Sequence, residues 1–223
     1  MYGNYTLVGI HTMSIISDNN KIQFYKYLNG DISVLDLEDF IYKQSDLEQQ
    51  LDNKTYFDLI SFNYKDKNRN RLQDFLLGQI IDEGQFETWK LKKTLNAFLA
   101  DSKRLDTYLV KFYHLYCGTY QENGQRKFAF KFLGHLGLNN FWWLNEGYLT
   151  MTFGENWKIE YEKSIADFEF YHKQFQPIAD SILTALEDNR IQILSNGTYF
   201  ITDDLKYELE SDEIFKLEQP VRK

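Results

Sequence analysis

Ser33-Val34-Leu35-Asp36-Leu37-Glu38-Asp39-Phe40-Ile41-Tyr42-Lys43 is the stretch whose reading decides the fold. A hydroxyl at Ser33 and a carboxylate three residues on, at Asp36, satisfy the amide groups that a helix start leaves unpaired. Val34, Leu37, Phe40 and Ile41 then recur at three- and four-residue spacing, while Asp36, Glu38, Asp39 and Lys43 fall on other faces. The pattern predicts an amphipathic helix with an acidic outside.

Working outward, the same signals repeat. Ser45 with Glu48 predicts a second capped start. Upstream, the run from Lys21 to Leu28 stops at Asn29-Gly30, as helices often do. Downstream, Tyr56, Phe57, Leu59, Ile60 and Phe62 continue the helical spacing, and Leu72, Phe75, Leu76 and Ile80 carry it to Gly84 as a stop. Phe86, Trp89, Leu91, Leu95, Phe98 and Leu99 form another stripe, opposite Lys90, Lys92 and Lys93, and Leu105 to Tyr116 is the last helix of this half. The texture changes at Gly118, where glycines begin to interrupt aromatic runs. Asn123-Gly124 reads as a tight turn, and Phe128 to Leu138 as either strand or a helix closed by Gly137. Tyr148–Phe153 and Trp157–Tyr161 around Gly154-Glu155-Asn156 predict a β-hairpin, because Trp157, Ile159 and Tyr161 alternate with charges. Ser164 to Asn189 is helical, with Pro177 at a kink or at the start of a second helix. Ile191–Leu194 and Thr198–Ile201 flank Ser195-Asn196-Gly197 as a hairpin before an acidic, solvated tail. The expected class is α+β: a helical subdomain, 14–117, packed as one unit on an α+β subdomain, 118–223, that carries short antiparallel hairpins.

Composition narrows the function. Among 223 residues, 33 acidic against 25 basic give a net charge of −8, which opposes attachment to nucleic acid or anionic membrane and suits a basic partner. The 38 aromatic residues supply a core and, where exposed, anchors for a partner. Cys117 is the one cysteine, so no intrachain disulfide forms, and with no leader or membrane-spanning run in view the expected setting is the cytoplasm. Whether the folded chain begins from Met1 or Met13 is left open, as is the oligomeric state.

Chemistry-bearing motifs are sparse. His11, His114, His135 and His172 stand in no metal-ligand spacing, and no cofactor is implied. Gly134-His135-Leu136-Gly137 lacks the basic residue of a phosphate loop and reads as helix-ending glycines. Cys117 and His114 lie three apart, but the apolar surroundings point to an inert core thiol. Arg126-Lys127-Phe128-Ala129-Phe130-Lys131-Phe132 looks partly like the first signature of RNA-recognition domains, yet Lys127, Lys131 and Leu133 depart from it. Core aromatics with solvated lysines are the expectation there. What remains is charge segregation: residues 31–52 hold seven acids and one base, Lys43. From this run Asp36, Glu38, Asp39, Asp46 and Glu48 are the candidate partner-binding residues.

Four segments, 24–30, 37–42, 56–64 and 84–89, beginning Phe24-Tyr25-Lys26-Tyr27, Leu37-Glu38-Asp39-Phe40, Tyr56-Phe57-Asp58-Leu59 and Gly84-Gln85-Phe86-Glu87, resemble a group of small acidic bacterial proteins associated with immunity to polymorphic toxins. The resemblance covers the N-terminal half and brings no catalytic residue with it. It implies a cytoplasmic binding protein and no mechanism; charge, aromatic excess and sparse chemistry make an immunity-type inhibitor that occludes a basic toxin partner the leading expectation. The alternative is a small-molecule or nucleotide-modifying enzyme with an aromatic pocket in residues 118–157, lined by Phe141, Trp142, Trp143 and Trp157.

Overall fold

The computed structural model describes residues 16–65, 69–120, 126–138, 144–211 and 217–218, and the chain divides into two compact units at Asp82/Glu83. It is mainly helical with two short antiparallel hairpins, in keeping with the α+β class. The division does not fall at Cys117/Gly118, where the texture of the sequence changes. The reason lies in α6 (Glu83–Ala100) and α7 (Leu105–Cys117), whose apolar faces are buried with those of the later helices.

The first unit contains α1 (Asp18–Leu28), α2 (Val34–Lys43), α3 (Leu47–Gln50), α4 (Asn53–Ile60) and α5 (Arg69–Phe75). α1 ends as its sequence predicts, at Asn29, with Gly30 in the left-handed region at φ 78°. α5 runs into a π-helical turn, Leu76–Ile80, in which the Ile81 N–H donates to Leu76 O at 2.8 Å. Phe24, Leu37, Ile41, Leu47, Leu59, Leu72 and Leu76 are buried here, so α2 turns inward the residues its periodicity selects. Ser33 caps α2, and its capping box with Asp36 is complete. Ser45 caps nothing: α3 begins after Asp46, no side chain caps it, and it lasts one turn. Two starts not singled out from the sequence are capped, by Ser17 on α1 and by Asp52, whose carboxylate accepts from Thr55 N at 3.0 Å.

The second unit holds α6, α7, β1 (Thr119–Tyr120), β2 (Arg126–Lys127), α8 (Gly134–Gly137), α9 (Glu146–Phe153), α10 (Trp157–Ala166), α11 (Phe168–Glu187), β3 (Ile191–Ile193), β4 (Tyr199–Ile201) and α12 (Asp203–Leu209). β1 pairs with β2 through Thr119↔Lys127 and Tyr120↔Arg126. β3 pairs with β4 through Ile191↔Ile201, Gln192↔Phe200 and Ile193↔Tyr199, around the turn read from Ser195-Asn196-Gly197. Asn123-Gly124 lies outside the described residues, as do Met1 and Met13. Phe98, Phe112, Phe130, Phe132 and Phe175 are fully buried at the centre of one core. His172 on α11 is buried as well, and its Nε2–H donates to Phe98 O at 2.7 Å, satisfying a carbonyl in the last turn of α6.

Several local expectations are corrected. Residues 148–161 are two helices, not a hairpin: Asn145 caps α9 by accepting from Tyr148 N at 3.0 Å, and Gly154, at φ 56°, ends it. Trp157 and Tyr161 are four apart on α10 with ring centroids 6.4 Å apart, while Ile159 between them lies on the other side of the helix and is exposed, so the three share no strand face. The long helix breaks at Asp167 and continues through Pro177. The acidic stretch after Ile201 is not simply a solvated tail, because α12 buries Leu205 and Leu209. Gly137 does more than end a helix, since a Cβ there would sit 2.7 Å from Tyr113 Cα, where α8 presses on α7. Gly84 is not a stop at all. It lies in the first turn of α6, where an added Cβ would meet Ile193 O at 2.4 Å.

Two predictions follow from this packing. Ser33→Ala should lower stability by about 1 kcal/mol, whereas Ser45→Ala should leave it unchanged, as read from urea midpoints. Gly84→Ala should cost about 3 kcal/mol, because the backbone of β3 cannot move aside as a flexible side chain would. Gly78→Ala, with nothing within 4 Å of the added carbon, should show no loss in the same melts.

Candidate functional site

The acids proposed for partner binding turn out to have different jobs. On α2, the Asp36 carboxylate accepts from Ser33 N at 2.9 Å and from Ser33 Oγ at 2.7 Å. The hydroxyl bond is the larger of the causes that hold its carboxyl below the ordinary 3.8. Asp39 binds Lys43 Nζ at 2.6 Å, one turn along the helix. Glu38 makes no hydrogen bond or ion pair among the described residues. Its charge is therefore the one on this helix left for another molecule.

Asp46 is built into the fold. Its two oxygens accept from Gln44 Nε2 and Gln50 Nε2, both at 2.6 Å, and from Asn20 Nδ2 at 3.3 Å. Gln50 Oε1 in turn accepts from Asn20 Nδ2 at 3.0 Å and from Ser17 N at 2.8 Å, which ties the start of α1 to α3. Asn20 is buried, so its amide depends on this ring of acceptors. The Gln44 bond is the largest cause that holds the Asp46 carboxyl below 3.8. Glu48, by contrast, is exposed and makes no hydrogen bond or ion pair among the described residues.

An apolar face surrounds Glu38. Leu35, three residues before it, and Tyr42, four after it, are each 60% exposed, and Phe57 on α4 is 64% exposed. Tyr42 is nevertheless held in place. Its hydroxyl donates to Ile60 O at 3.2 Å, one turn along α4 from Phe57, and its ring meets Tyr64 at 6.4 Å and 74°. Tyr64 is buried and donates to Leu59 O at 2.7 Å. Burial is the main reason its phenol is raised, and Tyr42 and Glu38 add to it. Tyr42 and Phe57 lie in the segments 37–42 and 56–64 that carry the resemblance, but nothing in them separates exposed from core aromatics. For Tyr42 the available signal is that it falls off the Val34, Leu37, Phe40 and Ile41 spacing, whereas Phe57 reads as part of the apolar run and is exposed in the structure.

The other candidates separate. Phe141, Trp142 and Trp143 lie outside the described residues, and Trp157 opens α10 with Lys158 Nζ 5.7 Å from its ring centroid. Phe128, Phe130 and Phe132 are buried, so the aromatics of the RNA-like run form core. Lys127 is not simply solvated, because it pairs with Glu83 and lies 4.8 Å from the Phe128 ring centroid. Cys117 is half-buried at the end of α7 and is not a core thiol. A hydrogen bond with it is the main reason the Tyr113 phenol is raised, and Cys117 is among the lesser causes, after Tyr120, that raise the Arg126 guanidinium, which places Arg126 in its neighbourhood. His114 is exposed. Among the described residues no three His, Cys, Asp or Glu side chains converge as a metal site, and no helix is long and apolar enough to cross a membrane. No protein-family model, curated protein or solved structure matches the chain.

Asp36, Asp46 and Asp52 all have carboxyls held below 3.8. Groups depressed in this way stabilise the folded state fully above their unfolded value, about 3.9, and cease to do so as pH falls through the folded values. The Asp46→Asn variant should be less stable than the parent at pH 7, and the gap should close as pH drops below about 4. Urea midpoints between pH 7 and pH 2.5 test this; a gap that stays constant would contradict it.

Proposed function

We propose that this chain is a binding protein that docks a basic protein partner on the α2–α4 face of its first unit, as an immunity-type inhibitor would dock a toxin. The observation that carries this reading is Tyr42, which is largely exposed yet fixed by Tyr64 and by the Ile60 carbonyl. A large aromatic already held in one position loses little freedom on binding, which is what an interface anchor requires. Leu35 and Phe57 extend the apolar area, and Glu38, Glu48 and the net charge of −8 supply attraction at long range. Asp36, Asp39 and Asp46, already engaged within the chain, contribute to the field but not to contacts.

Co-purification from native lysate supplies the partner, and association kinetics with that purified protein test the surface. Tyr42→Ala should raise the dissociation rate about tenfold, as the loss of an anchor does. Glu38→Gln should slow association a few-fold at low salt, about threefold, with the difference fading as the Debye length shrinks. Asp39→Asn should leave the dissociation rate unchanged and slow association at low salt no more than Glu38→Gln does, since Asp39 acts only through the field. Unchanged rates in both the Tyr42 and the Glu38 variants would overturn the proposal.

A further inference from the structure

We propose that Glu38 and Tyr42 together form a receptor for one arginine side chain of the partner, an inference that rests on the partner-binding reading above. The two residues are four apart on α2, so their side chains stand one above the other on the same face. A carboxylate beside an exposed aromatic ring offers a cation both a charge and the negative face of a π-system.

Twice within this protein a lysine is held jointly by a carboxylate and an aromatic ring, although there the rings are buried and the acids differently placed. Lys90 Nζ binds Glu87 Oε1 at 2.6 Å while lying 4.9 Å from the Phe86 ring centroid. Lys127 pairs with Glu83 while lying 4.8 Å from the Phe128 ring centroid. At Glu38 and Tyr42 the acid and the ring are both present, and among the described residues no cation of the chain joins them. Lys43, the nearest base along the helix, is drawn to Asp39 at 2.6 Å. The site is therefore complementary to a cation brought by another molecule.

Three features suit an arginine, and the planar fork of its guanidinium is the one that separates it from lysine. The contact between Tyr42 and Tyr64 is edge-to-face, so it covers at most one side of the Tyr42 ring. A guanidinium is planar and weakly hydrated, and can stack on the free side while its fork of N–H groups donates to both Glu38 oxygens. Leu35, one turn before Glu38 and 60% exposed, gives the methylene stem an apolar surface to lie along.

The test is a titration of the labelled full chain with the peptide Gly-Gly-Arg-Gly-Gly, followed by backbone amide NMR shifts. The neutral isostere, with citrulline in place of arginine, is the control. Saturable shifts at Leu35, Glu38, Tyr42 and Ile60 are expected, about fivefold tighter for arginine than for citrulline. Glu38→Gln should remove that preference, and Tyr42→Leu should weaken both peptides, while Asp39→Asn behaves as the parent. Shifts that map elsewhere, equal binding of the citrulline peptide, or a preference that survives Glu38→Gln would each overturn the inference. Any of these would leave the partner-binding reading standing, since that reading is judged by the rates with the protein partner.

Discussion

Two phenolic hydroxyls finish α4. Tyr64 donates to Leu59 O at 2.7 Å, beside the Phe62 N–H at 3.3 Å, and Tyr42 donates to Ile60 O at 3.2 Å, so side chains help to meet the last two carbonyls of the helix. The first of these tyrosines is buried and the second is exposed. Through the second bond α2 is tied to the end of α4, and an aromatic ring on the surface acquires a fixed position. The proposed anchor depends on that position. A tyrosine free to turn would lose side-chain freedom on binding that this one has already lost on folding.

Charge in this protein is an internal resource before it is an external one. Asp36 completes a cap, Asp39 holds Lys43, Asp46 gathers three amide side chains, and Asp52 caps α4. In the second unit Glu210 accepts from Tyr199, a half-buried tyrosine packed against the core whose phenol is raised chiefly by burial. A net charge of −8 therefore overstates how many carboxylates a partner can contact, although every one of them adds to the long-range field. Glu38 differs from its neighbours in being both unengaged and flanked by exposed apolar side chains, and that difference is structural.

How much was legible in the sequence can be judged residue by residue. α2 was readable because its cap, its periodicity and its charges agree. The turn Ser195-Asn196-Gly197 was readable for the same reason, as turn chemistry sat between two apolar runs. Ser45 misled because Asp46, next to it, is held by Gln44, Gln50 and Asn20, and two of these partners are too distant or too generic in type to appear in a local pattern. Trp157, Ile159 and Tyr161 misled because five residues fit either period, and α10, which holds them, starts with no side-chain cap to mark it. Gly84 resembled a helix stop, yet its role is the close approach of β3, which is a tertiary fact. The acids of the candidate site were visible as a set, while which of them stays unengaged depends on partners in space.

The central claim is that the partner lies on the α2–α4 face. Amide hydrogen exchange of the full chain, free and saturated with its purified partner, reads that footprint without any substitution. The account predicts slowed exchange in residues 34–43 and 57–61 on binding. Slowed exchange confined to the second unit, with α2 and α4 unchanged, would contradict it.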